Sequence, residues 1–172
     1  MMKMLEAGGI SPLTDNLRTP DDDNPKGYYE FERVKQLPGD TEWIPEARGK
    51  AVKVLAELVK HLPSSENYRI IFIQRELDEI IESQRKMLIR RGEDPDTVSA
   101  HELKVLFTKY LGILKGWLNT QSNVRVLYVS YNEILSTPKE NIRKIDAFID
   151  NRLNTESMME SIDSSLYRNR SG

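Results

Sequence analysis

The sequence predicts an α/β fold, a parallel sheet flanked by helices, and three observations carry that reading. Ile70, Ile71, Phe72 and Ile73 form a short continuous apolar run, the pattern of a strand buried on both faces of a parallel sheet. The period then changes. Leu77, Ile80, Ile81, Gln84, Met87 and Leu88 fall at helical spacing, with Gln84 the one polar member, until Gly92 stops the pattern. A second run, Val124–Ser130, also reads as a strand and leads towards another helical stretch, so strands alternate with helices along the chain.

Composition narrows the class. The 172 residues suffice for a single domain, 1–172, which buries about two thirds of its unfolded surface. Hydrophobic residues make up 38% and charged ones 30%, the balance of a globular rather than a disordered chain. A net charge of −2 gives no support to bulk electrostatic binding of nucleic acid or an anionic membrane, although a local basic cluster can still hold a small anion. The absence of cysteine excludes disulfides, thiolate metal sites and a cysteine nucleophile. No apolar run reaches the length of a membrane span and the N-terminus lacks a signal-peptide core, so a cytoplasmic protein is expected.

From the N-terminus, Met1, Met2, Met4 and Leu5 mark a helix face that Gly8 and Gly9 stop. No capping residue precedes it, so the chain is expected to begin inside a helix. Ile10 to Glu42 is polar and rich in turn formers (Ser11-Pro12, Thr19-Pro20, Asn24-Pro25-Lys26-Gly27), the text of a binding loop or a lid. Within it, Tyr28, Tyr29, Phe31, Val34 and Leu37 predict a short helix or an extended piece docking on the core. Asp21, Asp22 and Asp23 are adjacent carboxylates without the ordered spacing of a metal site, and read as a solvated loop.

Trp43–Arg48 predicts a short helix, Lys50–Leu55 a strand, and Ala56–Leu62 a helix ending at Pro63. Beyond the central strand and helix, Ser99 can cap a long helix, with Glu102 three residues later as in a capping box. Its expected buried stripe is Leu103, Leu106, Phe107, Tyr110, Leu111, Leu114, Trp117 and Leu118, a core pattern rather than a cofactor box. Gly112 and Gly116 lower helix propensity and are expected to permit close packing. After the strand Val124–Ser130, Thr137-Pro138 opens a helix through Ile149, with proline at the first helical position and Ile142, Ile145 and Ile149 facing inward. Leu153–Ile162 predicts a last helix capped by Asn154 or Thr155, followed by the basic stretch Leu166–Arg170.

In open α/β sheets the ligand crevice lies at the carboxyl ends of the strands. Arg75 sits at that end of the central strand, and Ser83 follows eight residues later inside the helix. An arginine there offers a rigid, permanently charged fork suited to phosphate, and a serine hydroxyl adds a donor. Equally, Arg75 can pair with Glu79 while Ser83 is an ordinary helix-surface residue. Both readings stand at this point.

Several segments, in order and spacing, carry a wider likeness. They are Met4–Gly9, Asn24–Glu30, Gly49–Val54, Ile71–Arg75 with its serine eight residues on, Val126–Tyr131 and Leu166–Arg170. With them the chain resembles the sulfotransferase family, in particular a compact bacterial subset. The resemblance implies a P-loop-type α/β fold that uses 3′-phosphoadenosine 5′-phosphosulfate as donor, without a metal. It implies that Arg75 and Ser83 hold the 3′-phosphate and that Tyr131 lies near the adenine. Arg168 and Arg170 stand for the late basic motif that closes over that phosphate. Lys53 is the catalytic candidate, and Tyr28 and Tyr29 fall on the acceptor side, where a small molecule or glycan would present a hydroxyl or amine.

Two departures accompany the likeness. In the family, a strand and a turn containing Ser-Gly-Thr come before the helix that here begins at Met1, and residues 1–172 contain no such turn. The expected fold therefore lacks its first strand, and an unpaired strand edge would make the chain marginal or self-associating. Many members also carry a catalytic histidine two residues after the lysine matched by Lys53, where this chain has Leu55. His61 reads as a helix-end residue and His101 as solvent-facing. Any base would then come from the Asp21–Glu32 loop. Two other functions stay open: an inactive nucleotide- or partner-binding remnant of the fold, and a P-loop small-molecule kinase. The kinase would need a Gly-Lys-Ser/Thr loop.

Overall fold

The computed structural model describes residues 1–15, 17, 29–95 and 97–162. They divide into two compact units, Met1–Asn67 with Pro138–Ile162, and Tyr68–Thr137. The regular elements are α1 (Met2–Ala7), β1 (Tyr68–Gln74), α2 (Leu77–Arg90), α3 (Ala100–Thr120), β2 (Val124–Ser130), α4 (Tyr131–Ser136), α5 (Pro138–Phe148) and α6 (Thr155–Glu160). Three 3₁₀ turns, Glu32–Gln36, Ile44–Ala47 and Ala56–His61, stand where short helices are expected. Among the described residues, no helix is long and apolar enough to cross a membrane.

In the Tyr68–Thr137 unit, β1 and β2 pair in parallel from Tyr68 opposite Val124 to Gln74 opposite Ser130. The parallel α/β arrangement is thus the observed one. Parallel neighbours need a crossover, and α2 and α3 supply it. Gly92, at φ +73°, takes the left-handed conformation that ends α2, as the sequence predicts. The capping box at Ser99 is present: its side chain accepts from Glu102 N and Glu102 answers to the Ser99 amide. α3 packs on α2 and β2, with Leu114 and Leu118 fully buried.

Three expectations change in this unit, and one element is added. Leu106, placed in the buried stripe, is 58% exposed, because it lies at the edge of the face that α3 turns to its neighbours. Gly112 and Gly116 have nothing within 4 Å of where a Cβ would stand, so they serve no close packing. The apolar run in β1 is only half buried, since among the described residues the sheet has two strands. Finally, a helix (α4) follows β2 directly, started by Ser130, whose side chain accepts from Glu133 N. A serine cap ahead of a glutamate was its local signal.

The other unit has two packed parts. α6 packs on α1 and α5, and Met158, Ile142 and Ile145 are fully buried there. A Cβ at Gly8 would stand 2.8 Å from the buried Met158 side chain, so a larger residue at the end of α1 would have to displace it. Asn154, one of the two expected caps of α6, is the one that accepts, from Ser157 N. The second part is a cluster of Val34, Leu37, Trp43 and Ile44, with Phe31 edge-on to Trp43 at 5.3 Å between ring centroids. Arg33 donates twice to Asp40, at 2.7 and 2.9 Å, and this fork holds the Asp40 carboxyl below the usual carboxylate range.

Lys50–Leu55 is not a strand. Among the described residues, only the Ala51 backbone bonds to the backbone of a distant segment, giving its N–H to Ser11 O and accepting from Leu13 N. The flanking turns take one group at each end: Lys50 N donates to Ala47 O, and Leu55 O accepts from Leu58 N. A strand needs partners along its length, and among the described residues this segment meets another only at Ala51.

Candidate functional site

The register of the two strands builds the site. Gln74 lies opposite Ser130, so the residues that follow, Arg75 and Tyr131, leave the sheet side by side at its carboxyl edge. The Arg75 guanidinium carbon is 5.0 Å from the Tyr131 ring centroid, within the range of a cation–π contact. Arg75 Nε donates to Glu79 Oε2 at 2.8 Å, one helical turn into α2. Glu79 Oε1 accepts from Asn132 Nδ2 at 3.2 Å. The Glu79 side chain is 1% exposed and that of Arg75 25% exposed.

Of the two readings of Arg75, the pairing with Glu79 is the one present in the structure. It pairs with Glu79, and it remains at the mouth of the strand ends with a surface open to solvent. Among the described residues, neither of its terminal Nη groups makes a hydrogen bond. Such a fork can take an anion in the plane of the guanidinium. Ser83 stands half-buried two turns along the same helix. The acidic first turn of α2 is partly compensated, with Lys104 holding Asp78 at 2.7 Å.

The remaining predicted residues belong to the other unit or lie outside the described residues. Lys53 is exposed and pairs with Glu30 at 3.3 Å. Tyr29 Oη donates to Glu6 Oε2 at 2.6 Å, and burial followed by this bond pushes its hydroxyl up to about 12. Leu55, in the histidine position of the resemblance, is 46% exposed. Tyr28, Arg168, Arg170, the Asp21–Asp23 run and the 18–28 stretch of the expected loop or lid lie outside the described residues. Among the described residues, no three His, Cys, Asp or Glu side chains are grouped to hold a metal ion.

Two members of the constellation, Asn132 and the buried carboxylate of Glu79, escaped the sequence reading as site residues. Glu79 was visible only as an ion-pair partner four residues after Arg75. Asn132 had one signal: it follows Tyr131 at the end of a strand parallel to β1.

Against known proteins, a family model described as sulfotransferase domain matches residues 47–172. No curated protein and no solved structure matches the chain.

Proposed function

Since the chain belongs to the sulfotransferase domain family, we propose that it binds 3′-phosphoadenosine 5′-phosphosulfate as its donor substrate and transfers the sulfuryl group to a hydroxyl or amine. The observation that carries this reading is the pairing of Arg75 and Tyr131 at adjacent parallel strand ends. Arg75 offers its charged fork to the 3′-phosphate, with Ser83 as a further donor, and the Tyr131 ring offers an aromatic face to the adenine. Arg168 and Arg170 are assigned to the same phosphate by resemblance. In the reaction, the bond between sulfur and the bridging phosphate oxygen breaks as the acceptor oxygen or nitrogen forms its own bond to sulfur. The acceptor's proton leaves to a base or to water, and the bridging oxygen departs with the nucleotide bisphosphate. Positive charge near the departing oxygens supplies most of the catalysis, as in phosphoryl transfer. Lys53 is the cationic candidate for that task, and Tyr28 and Tyr29 are assigned to a small-molecule or glycan acceptor.

A second reading, nucleotide binding without turnover, is favoured by one observation. Leu55 occupies the place of the histidine that many family members use as base. Calorimetric titration with adenosine 3′,5′-bisphosphate tests the shared part. Arg75→Lys keeps a cation for Glu79 but loses the fork, and should weaken binding by about 1.5–3 kcal/mol, the scale of a charged hydrogen bond. Unchanged affinity in the folded variant rejects the phosphate assignment. Measured sulfuryl transfer to any acceptor decides between the two readings.

A further inference from the structure

We propose that Glu79, braced by Asn132, is a positioning residue that holds the Arg75 fork ready for the 3′-phosphate; this rests on the phosphate reading of Arg75 given above. A lone arginine side chain gives up rotamer freedom when it is fixed in one pose. Here the pose is set before any ligand arrives. Glu79 Oε2 takes Nε at 2.8 Å, and the planar guanidinium lies by the Tyr131 ring at 5.0 Å. One edge of the fork is thereby occupied and one face is stacked. The edge that remains is the pair of terminal nitrogens, the edge that grips a phosphate through two parallel bonds.

The brace is itself fixed. With 1% exposure, the Glu79 carboxylate cannot turn to water, and its second oxygen is held by Asn132 at 3.2 Å. Asn132 stands in the first turn of α4, immediately after Tyr131. Glu79 therefore ties the end of β1 to the end of β2 through side chains, as the register ties them through the backbone. Electrostatics argues against a role for its charge in binding: a carboxylate this close to Arg75 repels an incoming phosphate. What it supplies is geometry, bought at some cost in field.

The experiment measures, on the full chain, the preference for adenosine 3′,5′-bisphosphate over adenosine 5′-monophosphate by calorimetric titration. Glu79→Leu removes both acceptor oxygens, and the preference should fall by about tenfold or more, the worth of a misplaced charged hydrogen bond. Glu79→Gln keeps an acceptor for Nε, lets the Asn132 amide turn, and removes the repelling charge. Its preference should stay within about threefold of the parent or rise. Circular dichroism and a cooperative melt check that each variant folds, and the Gln variant carries the test if the Leu variant does not fold. A full parental preference in folded Glu79→Leu, or a loss of about tenfold in Glu79→Gln, overturns the positioning role alone if Arg75→Lys lowers the preference. A parent without preference for the 3′-phosphate, or an Arg75→Lys variant that keeps it in full, overturns the phosphate reading and this inference with it.

Discussion

Lys50–Leu55 and β1 look alike in sequence, each a short stretch rich in Val, Ile, Leu or Ala, yet only one is a strand. β1 meets β2 in parallel register from Tyr68 to Gln74. Lys50–Leu55 meets its neighbour at Ala51 alone, in a single bridge to Pro12. The first region is held by backbone ladders and the second by side chains, chiefly the Trp43 cluster. The difference is one of partners, not of propensity: a strand needs partners along its length, and among the described residues β1 has one from end to end while Lys50–Leu55 has one at Ala51 alone. Most of the fully buried hydrophobic side chains, Trp43, Leu37, Ile145 and Met158 among them, lie in the unit without paired strands. Irregular backbone and tight packing coexist there.

The contrast can be broken by experiment. If side chains hold the irregular region, Trp43→Ala should cost about 3–5 kcal/mol in urea unfolding, as deletion of a buried aromatic does. A loss below about 1 kcal/mol would mean that the cluster is not what holds it. Next in size is Arg75→Ala at the strand ends, which leaves the buried Glu79 carboxylate without its cation. Because Arg75 is itself 25% exposed, the cost should fall at the lower end of about 3–5 kcal/mol. Adding Glu79→Leu should recover much of it, and failure to recover would show that the ion pair is not the reason for the loss.

Tyr29 sharpens the comparison through pH. Its folded-state value of about 12 lies above the ordinary 10, raised by burial and by Glu6. The stability this contributes is therefore complete below pH 10 and lost as pH rises towards 12. Tyr29→Phe should flatten the fall of stability between those values, with about 1 kcal/mol lost at neutral pH for the hydrogen bond. An equally steep alkaline limb in the variant would mean that Tyr29 is not the titrating group. Smallest is Lys53→Met. Its pair with Glu30 is exposed, so stability should change by less than about 1 kcal/mol, while sulfuryl transfer, if Lys53 takes part in it, should drop by an order of magnitude or more. Unchanged turnover would remove Lys53 from the proposed mechanism.

Much of the fold was legible because its signals are local. The Ser99–Glu102 box and the Thr137-Pro138 start set helix beginnings within a few residues, and Gly8 and Gly92 set ends. Leu106 was misread because periodicity gives the width of an apolar stripe, not how much of it a neighbour covers. Within the site, Arg75 and Tyr131 were legible from their places at strand ends. Glu79 and Asn132 were not, since their roles depend on a hydrogen bond between residues 53 positions apart.

The sequence alone determined that β1 and β2 are strands, that α2, α3 and α5 are helices, the second with its Ser99 capping box, and that an arginine and a tyrosine follow the two strands. These follow from period, capping and chain order, which act over a few residues. Only the tertiary structure decided that β1 pairs with β2 in a register that sets Arg75 beside Tyr131, and that a buried carboxylate fixes the guanidinium between them. Register and burial are properties of surfaces brought together across the chain, and no local period encodes them.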